Sequence, residues 1–133
     1  MPKKVLIVDD EVFTLRLMEK KLTVKNCIVD STTSGEDALE LMDFNHYDLV
    51  ILDVNLTGIS GLDILKKIKN DKNALNYDTP FVMCSASVDY EIVTQAMANK
   101  AFDYIIKSFH LDKLNDIVDS IESYQRARTK MAV

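Results

Sequence analysis

The stretch LVILD, residues 49–53, is a short apolar run that ends in a carboxylate, and KVLIVDD, residues 4–10, is a second run that ends in two. Short continuous apolar runs of this kind are typical of buried strands in parallel sheets. If the two strands are neighbours, Asp9, Asp10 and Asp53 converge at one edge of the sheet. Two carboxylates about 5 Å apart repel each other by roughly 3 kcal/mol at an effective dielectric of about 20. Such a cluster needs a cation, a proton or a function that uses the repulsion.

Strand-like and helix-like segments alternate along the chain. Runs rich in Val, Ile, Leu and Phe predict five strands, at residues 4–8, 27–32, 49–52, 81–84 and 103–106. Helical periodicity predicts five helices, at residues 12–25, 34–45, 61–71, 88–99 and 111–128. Ser34 and Ser60 each stand three residues before an aspartate, a pattern typical of helix starts. Residues 72–80, rich in Asn and Asp, predict a surface loop.

The alternation predicts an α/β fold, a parallel sheet covered by helices on both faces. Right-handed crossovers restrict the ways in which the strands can be connected. For five strands and five helices the leading topology is the doubly wound, flavodoxin-like order 2-1-3-4-5, which also rests in part on the family resemblance described below. In this topology a ligand binds at the carboxyl ends of strands 1 and 3, where the winding reverses. The three carboxylates lie at that point.

The length of 133 residues suits one domain, which we place at residues 1–126, with residues 127–133 as a short C-terminal tail. Sixteen basic against 21 acidic residues give a net charge of −5, which disfavours direct nucleic-acid binding. No run approaches 18 apolar residues, so we expect no membrane insertion and a cytoplasmic protein of bacterial type. The spacing of Cys27 and Cys84 suggests neither a metal site nor a disulfide.

Five short motifs recur at the expected places along this alternation. They are Val8-Asp9-Asp10-Glu11, Leu52-Asp53-Val54-Asn55, Gly61-Leu62, Ser85-Ala86 and Asp103-Tyr104-Ile105-Ile106-Lys107. Each motif alone is weak, but in this order and spacing they resemble the response-regulator receiver domain of two-component signalling, of the chemotaxis-regulator type. The match spans nearly the whole chain.

The resemblance implies that Asp53 accepts a phosphoryl group with the help of Mg²⁺. Asp10 is implied to bind the metal directly and Asp9 through water, with Asp53 and the backbone carbonyl of Asn55 as further ligands. The chemistry is reasonable in itself, because a carboxylate can attack a phosphoryl centre when the charges are neutralised and held in line. Magnesium also prefers oxygen ligands and keeps several waters.

The resemblance assigns the other motif residues to catalysis and switching. Lys107 is implied to pair with the phosphoryl group, Ser85 to be the switch hydroxyl that contacts it, and Tyr104 to be the switch aromatic. The phosphodonor is then a sensor histidine kinase or a phosphotransfer protein. Phosphorylation reshapes the face of helix 4, strand 5 and helix 5, which binds an unidentified downstream protein. The protein modifies only itself and is not an enzyme that acts on a released substrate.

Three positions depart from the family pattern. Lys107 is followed by Ser108, where the family usually has proline after a bond that is commonly cis. A cis bond before serine costs about 3 to 4 kcal/mol, so the geometry of this bond stays open. Thr57 stands where the loop after the acceptor often has proline. Lys100 stands where a glycine often precedes the fifth strand, so we expect a left-handed conformation at Asn99 or Lys100, or a different cap.

Other interpretations stay open for single residues. Asp10 alone could be a helix N-cap, Asp53 a strand-ending turn residue, and Lys107 an ordinary solvated lysine. Ser85 could serve a turn or cap a helix, and Tyr104 could be a packed strand aromatic.

Our leading hypothesis for the function is a stand-alone phosphoacceptor receiver. The alternative is a receiver-like protein-interaction module that signals without phosphorylation. A flavin-phosphate site is disfavoured by the negative charge of residues 9–11. A haloacid-dehalogenase-like phosphatase is disfavoured because its nucleophile ends the first strand in an Asp-x-Asp pattern. In this chain the two aspartates after the first strand are adjacent, and the presumed nucleophile, Asp53, ends the third strand.

Overall fold

The computed structural model describes residues 2–107 and 113–132, with side chains up to residue 127. Within these residues five strands alternate with five helices, as predicted. The strands are β1 (Lys4–Val8), β2 (Ile28–Thr32), β3 (Leu49–Asp53), β4 (Phe81–Ser85) and β5 (Asp103–Ile106). The helices are α1 (Val12–Val24), α2 (Gly35–Phe44), α3 (Gly61–Lys69), α4 (Tyr90–Ala98) and α5 (Lys113–Ala132).

The strands form one parallel sheet in the order β2-β1-β3-β4-β5, which confirms the predicted topology. In the register of β1 and β3, Val8 pairs with Leu52, so the residues that follow them, Asp9 and Asp53, are neighbours across the sheet. Asp53 in turn pairs with Cys84 of β4. The carboxyl ends of the strands therefore meet at one edge, because all of them run in the same direction.

The sheet separates two apolar cores, since successive side chains of a strand point to opposite faces. On one face α1 and α5 pack on alternate strand residues, which include Val5, Ile7, Leu49, Ile51, Val82 and Cys84. On the other face α2, α3 and α4 pack on the residues between them, which include Leu6, Val8, Val50, Leu52, Phe81 and Met83. Each large apolar side chain buried in this way contributes roughly 1.5 to 3 kcal/mol to the free energy of unfolding.

The helix ends follow local sequence signals in most places. The hydroxyls of Ser34 and Ser60 accept hydrogen bonds from the third residue of their helices, as predicted. Helix α4 begins two residues later than predicted because Asp89 caps it. Lys100 has a φ of 68°, which confirms a left-handed residue before β5.

The C-terminal helix differs in length from the prediction. Helix α5 continues to Ala132, beyond the predicted end at residue 128, so part of the expected tail is helical. The division into a domain at 1–126 and a tail at 127–133 stays a prediction. The predicted start of this helix at residue 111 lies outside the described residues, as does Ser108 and therefore the geometry of its bond to residue 107.

The prediction of a plain surface loop at residues 72–80 is wrong in part. The side chain of Asn76 is 0% exposed and makes four hydrogen bonds. Its amide nitrogen donates to the carbonyls of Met42 and Asn45, and its oxygen accepts from the Tyr47 amide and the Thr79 hydroxyl. These bonds attach the loop before β4 to the end of α2 and the start of β3.

Candidate functional site

Three carboxylates meet at the carboxyl edge of the sheet, as the apolar runs predicted. Asp9 and Asp10 follow β1, and Asp53 is the last residue of the neighbouring β3. One oxygen from each side chain lies within 4.8 Å of the other two. Asp9 is 0% and Asp53 2% exposed, whereas Asp10 faces solvent.

An ammonium group enters this cluster from the end of β5. The Nζ atom of Lys107 lies 2.7 Å from Oδ2 of Asp53 and 2.9 Å from Oδ2 of Asp9. The side chain of Lys107 is only 10% exposed. Lys107 is therefore not an ordinary solvated lysine. The one ammonium and the three carboxylates together carry a formal charge of −2 when all four side chains are ionised.

Burial and pairing act in opposite directions on these groups. For Lys107, burial alone favours the neutral amine, but the close contacts with the carboxylates of Asp53 and Asp9 outweigh it and raise the pKa. For Asp9, burial raises the pKa of the carboxyl above its ordinary value, although the Glu11 amide and Lys107 oppose that shift. The ammonium thus stays charged while Asp9 has a reduced tendency to ionise.

The two buried carboxylates use Oδ1 in the same way but differ at Oδ2, because Lys107 donates a hydrogen bond to Oδ2 of Asp53, whereas Oδ2 of Asp9 is in ion-pair contact with Lys107 but has no hydrogen-bond partner among the described residues. Oδ1 of Asp9 accepts from the Glu11 amide at 2.8 Å, and Oδ1 of Asp53 accepts from the Asn55 amide at 3.0 Å. In both residues Oδ2 faces Lys107. Asp53 therefore has two roles. Its Oδ1 accepts a hydrogen bond in the turn after β3, as the alternative interpretation expects, and its Oδ2 pairs with Lys107.

Asp10 is not the cap of α1. The N-cap position belongs to Glu11, which makes no side-chain capping bond. The carboxylate of Asp10 instead accepts a hydrogen bond from the hydroxyl of Thr57, at 3.3 Å, across from the loop that follows β3. Its exposed carboxylate faces the neighbouring loop and solvent, at the mouth of the cluster.

The structure brings Ser85 to the same edge as the last residue of β4. Its backbone carbonyl accepts from the Lys107 amide at 2.9 Å. Its buried hydroxyl accepts weakly from the Ser87 amide at 3.4 Å, so it serves a turn in this state. Ser85 does not cap α4, because Asp89 does so.

The structure places Tyr104 on β5 and Asn55 directly beyond β3. The ring of Tyr104 packs against the core shared by α2, α3 and α4. Its hydroxyl is buried, and no hydrogen-bond partner for it exists within residues 2–107 and 113–132. Asn55 is exposed, and its backbone N–H donates a hydrogen bond to the Asp53 carboxylate.

Gly61 is a site residue whose physical role the sequence did not reveal. A Cβ atom at this position would lie 2.0 Å from the carbonyl oxygen of Asp53 and 3.0 Å from Cα of Val54. The Gly61 amide donates to the Val54 carbonyl at 3.1 Å. The first residue of α3 therefore rests on the backbone that carries Asp53, and only glycine fits. The sequence offered two signals at this place, the Gly61-Leu62 motif and the neighbouring Ser60 cap, which located the helix start but not this contact.

The donor set of the cluster fits a magnesium ion. All three side chains offer carboxylate oxygens, which are the ligands that Mg²⁺ prefers. The formal charge of −2 would be balanced by one divalent cation. Because Lys107 already faces Asp9 and Asp53, Asp10 is the carboxylate with the most freedom to bind the metal directly.

Comparisons with known proteins agree with this fold and identify its family. The family model described as "Response regulator receiver domain" matches residues 5–119. The response regulator ArlR of Staphylococcus aureus is 35% identical over 111 residues, which are 84% of this chain and 48% of ArlR. The chain therefore belongs to the response regulator receiver domain family of two-component signalling. It spans about half the length of the curated relatives it matches.

Solved structures give the same result. The response regulator TrrA of Thermotoga maritima, in complex with Mg²⁺–BeF, is 33% identical and superposes with a TM-score of 0.77. The match covers 90% of this chain and 98% of TrrA. A CheY-like receiver domain protein from Methanospirillum hungatei shares the fold, with a TM-score of 0.85 at 20% identity over 96% of this chain and 99% of that one. Among the described residues, no helix has both the length and the apolar character needed to cross a membrane.

Proposed function

We propose that this chain is a Mg²⁺-dependent phosphoacceptor of a two-component phosphorelay and that Asp53 accepts the phosphoryl group. The observation that carries the proposal is the contact of Lys107 with Asp53 inside a cluster of three carboxylates. A buried nucleophile beside a fixed ammonium, at the edge where strand winding reverses, has the arrangement that phosphoryl transfer needs.

The reaction forms a bond between a carboxylate oxygen of Asp53 and phosphorus. The bond from phosphorus to the donor breaks at the same time, and the donor leaves with its electron pair. The backbone N–H of Asn55 donates a hydrogen bond to one carboxylate oxygen of Asp53 and so orients the nucleophile. Lys107 shifts its hydrogen bonds to the arriving phosphoryl oxygens, whose negative charge it stabilises.

Asp10, Asp9, Asp53 and the backbone carbonyl of Asn55 would hold Mg²⁺. When bound, the ion screens the repulsion between the nucleophile and the phosphoryl oxygens. Lys107 offsets part of the charge of Asp9 and Asp53.

The switch that follows involves Ser85 and Tyr104. The Ser85 hydroxyl makes only a weak bond within a turn, so it is available to donate to a phosphoryl oxygen. A change at Ser85 reaches α4 through the turn that follows β4, and Tyr104 packs against the core beneath that helix. The face formed by α4, β5 and α5 then gains or loses a protein partner.

The remaining parts of the proposal concern the setting of the switch. We propose a sensor histidine kinase or a phosphotransfer protein as the phosphodonor, in the cytoplasm. Catalysis is limited to the protein's own phosphorylation and dephosphorylation. That the switch acts as a stand-alone protein, with its output in a separate partner, stays a prediction.

Intact-mass spectrometry after incubation with acetyl phosphate and Mg²⁺ tests the proposal. The wild-type protein should gain one phosphoryl group that hydroxylamine removes, and Asp53→Asn should gain none, because an amide is a poor nucleophile of similar shape. Asp63→Asn is the matched control, since it removes one charge from an exposed position on α3. Incorporation into Asp53→Asn would contradict the assignment. No incorporation into the wild-type protein would favour the phosphorylation-independent interaction module.

A calorimetric titration with Mg²⁺ tests the metal site separately. Asp10→Asn removes one anionic oxygen ligand and should weaken binding and slow phosphorylation. Unchanged metal affinity in this variant would remove Asp10 from the site.

A further inference from the structure

The loop between β3 and α3, residues 54–60, contacts two other parts of the protein. On one side the hydroxyl of Thr57 donates to Oδ2 of Asp10 at 3.3 Å. On the other side the amide of Ile59 donates to Oε1 of Glu36 at 3.3 Å. The loop that carries Asn55 is thus held between the acid cluster and the first turn of α2.

Glu36 is well placed to hold this loop. The Ser34 hydroxyl donates to its second oxygen, Oε2, at 3.2 Å, so both carboxylate oxygens have partners. Its own amide and that of Ile59 lower the pKa of the Glu36 carboxyl. A negative charge in the first turn of a helix is also favourable for the helix dipole. Glu36 is therefore an ionised, oriented acceptor at neutral pH.

Two glycines allow the close approach of the loop to α2. Gly58 has a φ of 86°, and a Cβ there would lie 3.0 Å from Oε1 of Glu36. A Cβ at Gly35 would lie 2.6 Å from Cγ2 of Ile59. Larger residues at either position would push the loop away from the helix.

We propose that Glu36 is a positioning residue for the metal site. By holding the Ile59 amide it fixes the loop that carries Asn55 and keeps the Thr57 hydroxyl beside Asp10. The inference rests on the proposed function, because it assigns a task to the same site. Asp10 is exposed, and within the described residues Thr57 is the one hydrogen-bond partner of its carboxylate. A displaced loop would therefore leave Asp10 free to rotate, and metal binding would have to order it.

The test measures Mg²⁺ affinity by calorimetry in the full chain. Glu36→Ala should weaken binding by up to about tenfold, at the low end of the range for groups that orient metal ligands. Glu36→Gln should restore most of the affinity, because its amide oxygen still accepts from Ile59. Asp37→Ala is the control, an equal loss of charge in the same helical turn.

Two further measurements address the mechanism. Hydrogen exchange of the Ile59 amide should be faster in Glu36→Ala than in the wild-type protein and in Glu36→Gln. Thr57→Val removes the second contact without touching α2 and should also weaken Mg²⁺ binding, whereas Thr57→Ser should not. These variants keep the inference testable if Glu36→Ala folds poorly.

Wild-type Mg²⁺ affinity in a folded Glu36→Ala variant would overturn the inference, as would an equal loss in Asp37→Ala. If Glu36→Ala does not fold, wild-type affinity in Thr57→Val would overturn it instead. If the wild-type protein is phosphorylated at Asp53 and the Glu36 variants match it in metal affinity, only the positioning role fails. If the wild-type protein binds Mg²⁺ but takes up no phosphate, the proposed function fails, and the titrations still decide the role of Glu36. Absence of Mg²⁺ binding by the wild-type protein would overturn both.

Discussion

The ammonium nitrogen of Lys107 lies 2.7 Å from Oδ2 of Asp53, and both side chains are almost entirely buried. The same nitrogen lies 2.9 Å from Oδ2 of Asp9. Lys107 thus supplies a positive charge to two buried carboxylates that stand side by side. We therefore expect the stability of the fold, and the phosphoryl transfer proposed above, to depend on this one side chain.

Lys107→Ala should destabilise the fold strongly in the presence of a chelator. It leaves Asp9 and Asp53 buried without their positive partner, and breaking a buried ion pair in this way costs about 3 to 5 kcal/mol. Urea unfolding measures the loss. Added Mg²⁺ should restore part of it, because a ligand that binds only the folded state stabilises that state.

The control for Lys107→Ala is Lys25→Ala, which removes an ion pair with Asp119 at 3.1 Å on the surface. We expect a change of less than about 1 kcal/mol, as for most exposed pairs. An equal loss in the free energy of unfolding in the two variants would show that the buried ion pairs of Lys107 stabilise the fold no more than a surface pair does.

Gly61→Ala should destabilise the protein by at least about 2 kcal/mol and slow its phosphorylation. Helix propensity alone predicts that this substitution stabilises the protein, because alanine is favoured over glycine by up to about 1 kcal/mol in a helix. The added Cβ would, however, lie 2.0 Å from the Asp53 carbonyl oxygen, so the backbone that carries Asp53 must move. Thermal unfolding and the rate of reaction with acetyl phosphate measure the two effects.

Gly35→Ala is the matched control, since Gly35 is likewise the first residue of a helix. Its added Cβ would first meet the side chain of Ile59, which yields more easily than backbone. We expect a smaller loss than for Gly61→Ala. A stabilised Gly61→Ala variant would mean that α3 can move away from β3 at little cost.

The alternation of strands and helices and the place of the acid cluster were predictable from the sequence because they depend on local patterns, whereas the predicted strand order rested in part on the family resemblance. A buried parallel strand requires a short apolar run, and Asp9, Asp10 and Asp53 stand directly after such runs. The caps at Ser34 and Ser60 are also local, since each hydroxyl bonds three residues ahead.

The features that the sequence did not reveal depend on contacts between distant segments. Asn76 resembles a loop residue, yet its side chain bonds the carbonyl of Met42, 34 positions away. Glu36 resembles an ordinary acidic residue of a first helical turn, although it accepts from the Ile59 amide. No local pattern in a single sequence distinguishes such residues from exposed ones of the same type.

Tyr104→Phe should leave the stability unchanged or raise it by about 1 kcal/mol in chelator. Its hydroxyl is buried with no hydrogen-bond partner among the described residues, and removing an unsatisfied buried polar group removes its desolvation cost. Urea unfolding tests this, with Tyr47→Phe as the contrasting variant. A loss of more than about 1 kcal/mol in Tyr104→Phe would indicate that the hydroxyl has a partner in the folded protein.

Tyr47→Phe should destabilise the protein by about 1 to 2 kcal/mol at neutral pH, with a penalty that shrinks in alkaline solution. Tyr47 is 0% exposed, and its hydroxyl donates to Oδ2 of Asp30 at 2.7 Å. Loss of a hydrogen bond to a charged acceptor accounts for the neutral-pH penalty.

The pH dependence follows from the pKa of the Tyr47 phenol, which burial and the hydrogen bond to Asp30 raise well above its ordinary value. Above about pH 10 the unfolded chain loses this proton while the folded protein keeps it. The folded state then binds more protons, so the contribution of Tyr47 to the free energy of unfolding is complete below pH 10 and falls by up to about 1.4 kcal/mol per pH unit above it.

Phenylalanine has no such proton. Urea unfolding of both proteins from pH 8 to pH 11 should therefore show the stability difference narrowing above pH 10, with the lysine titrations common to both proteins cancelling. A difference that stays constant over this range would show that the Tyr47 phenol ionises in the folded protein as easily as in the unfolded chain.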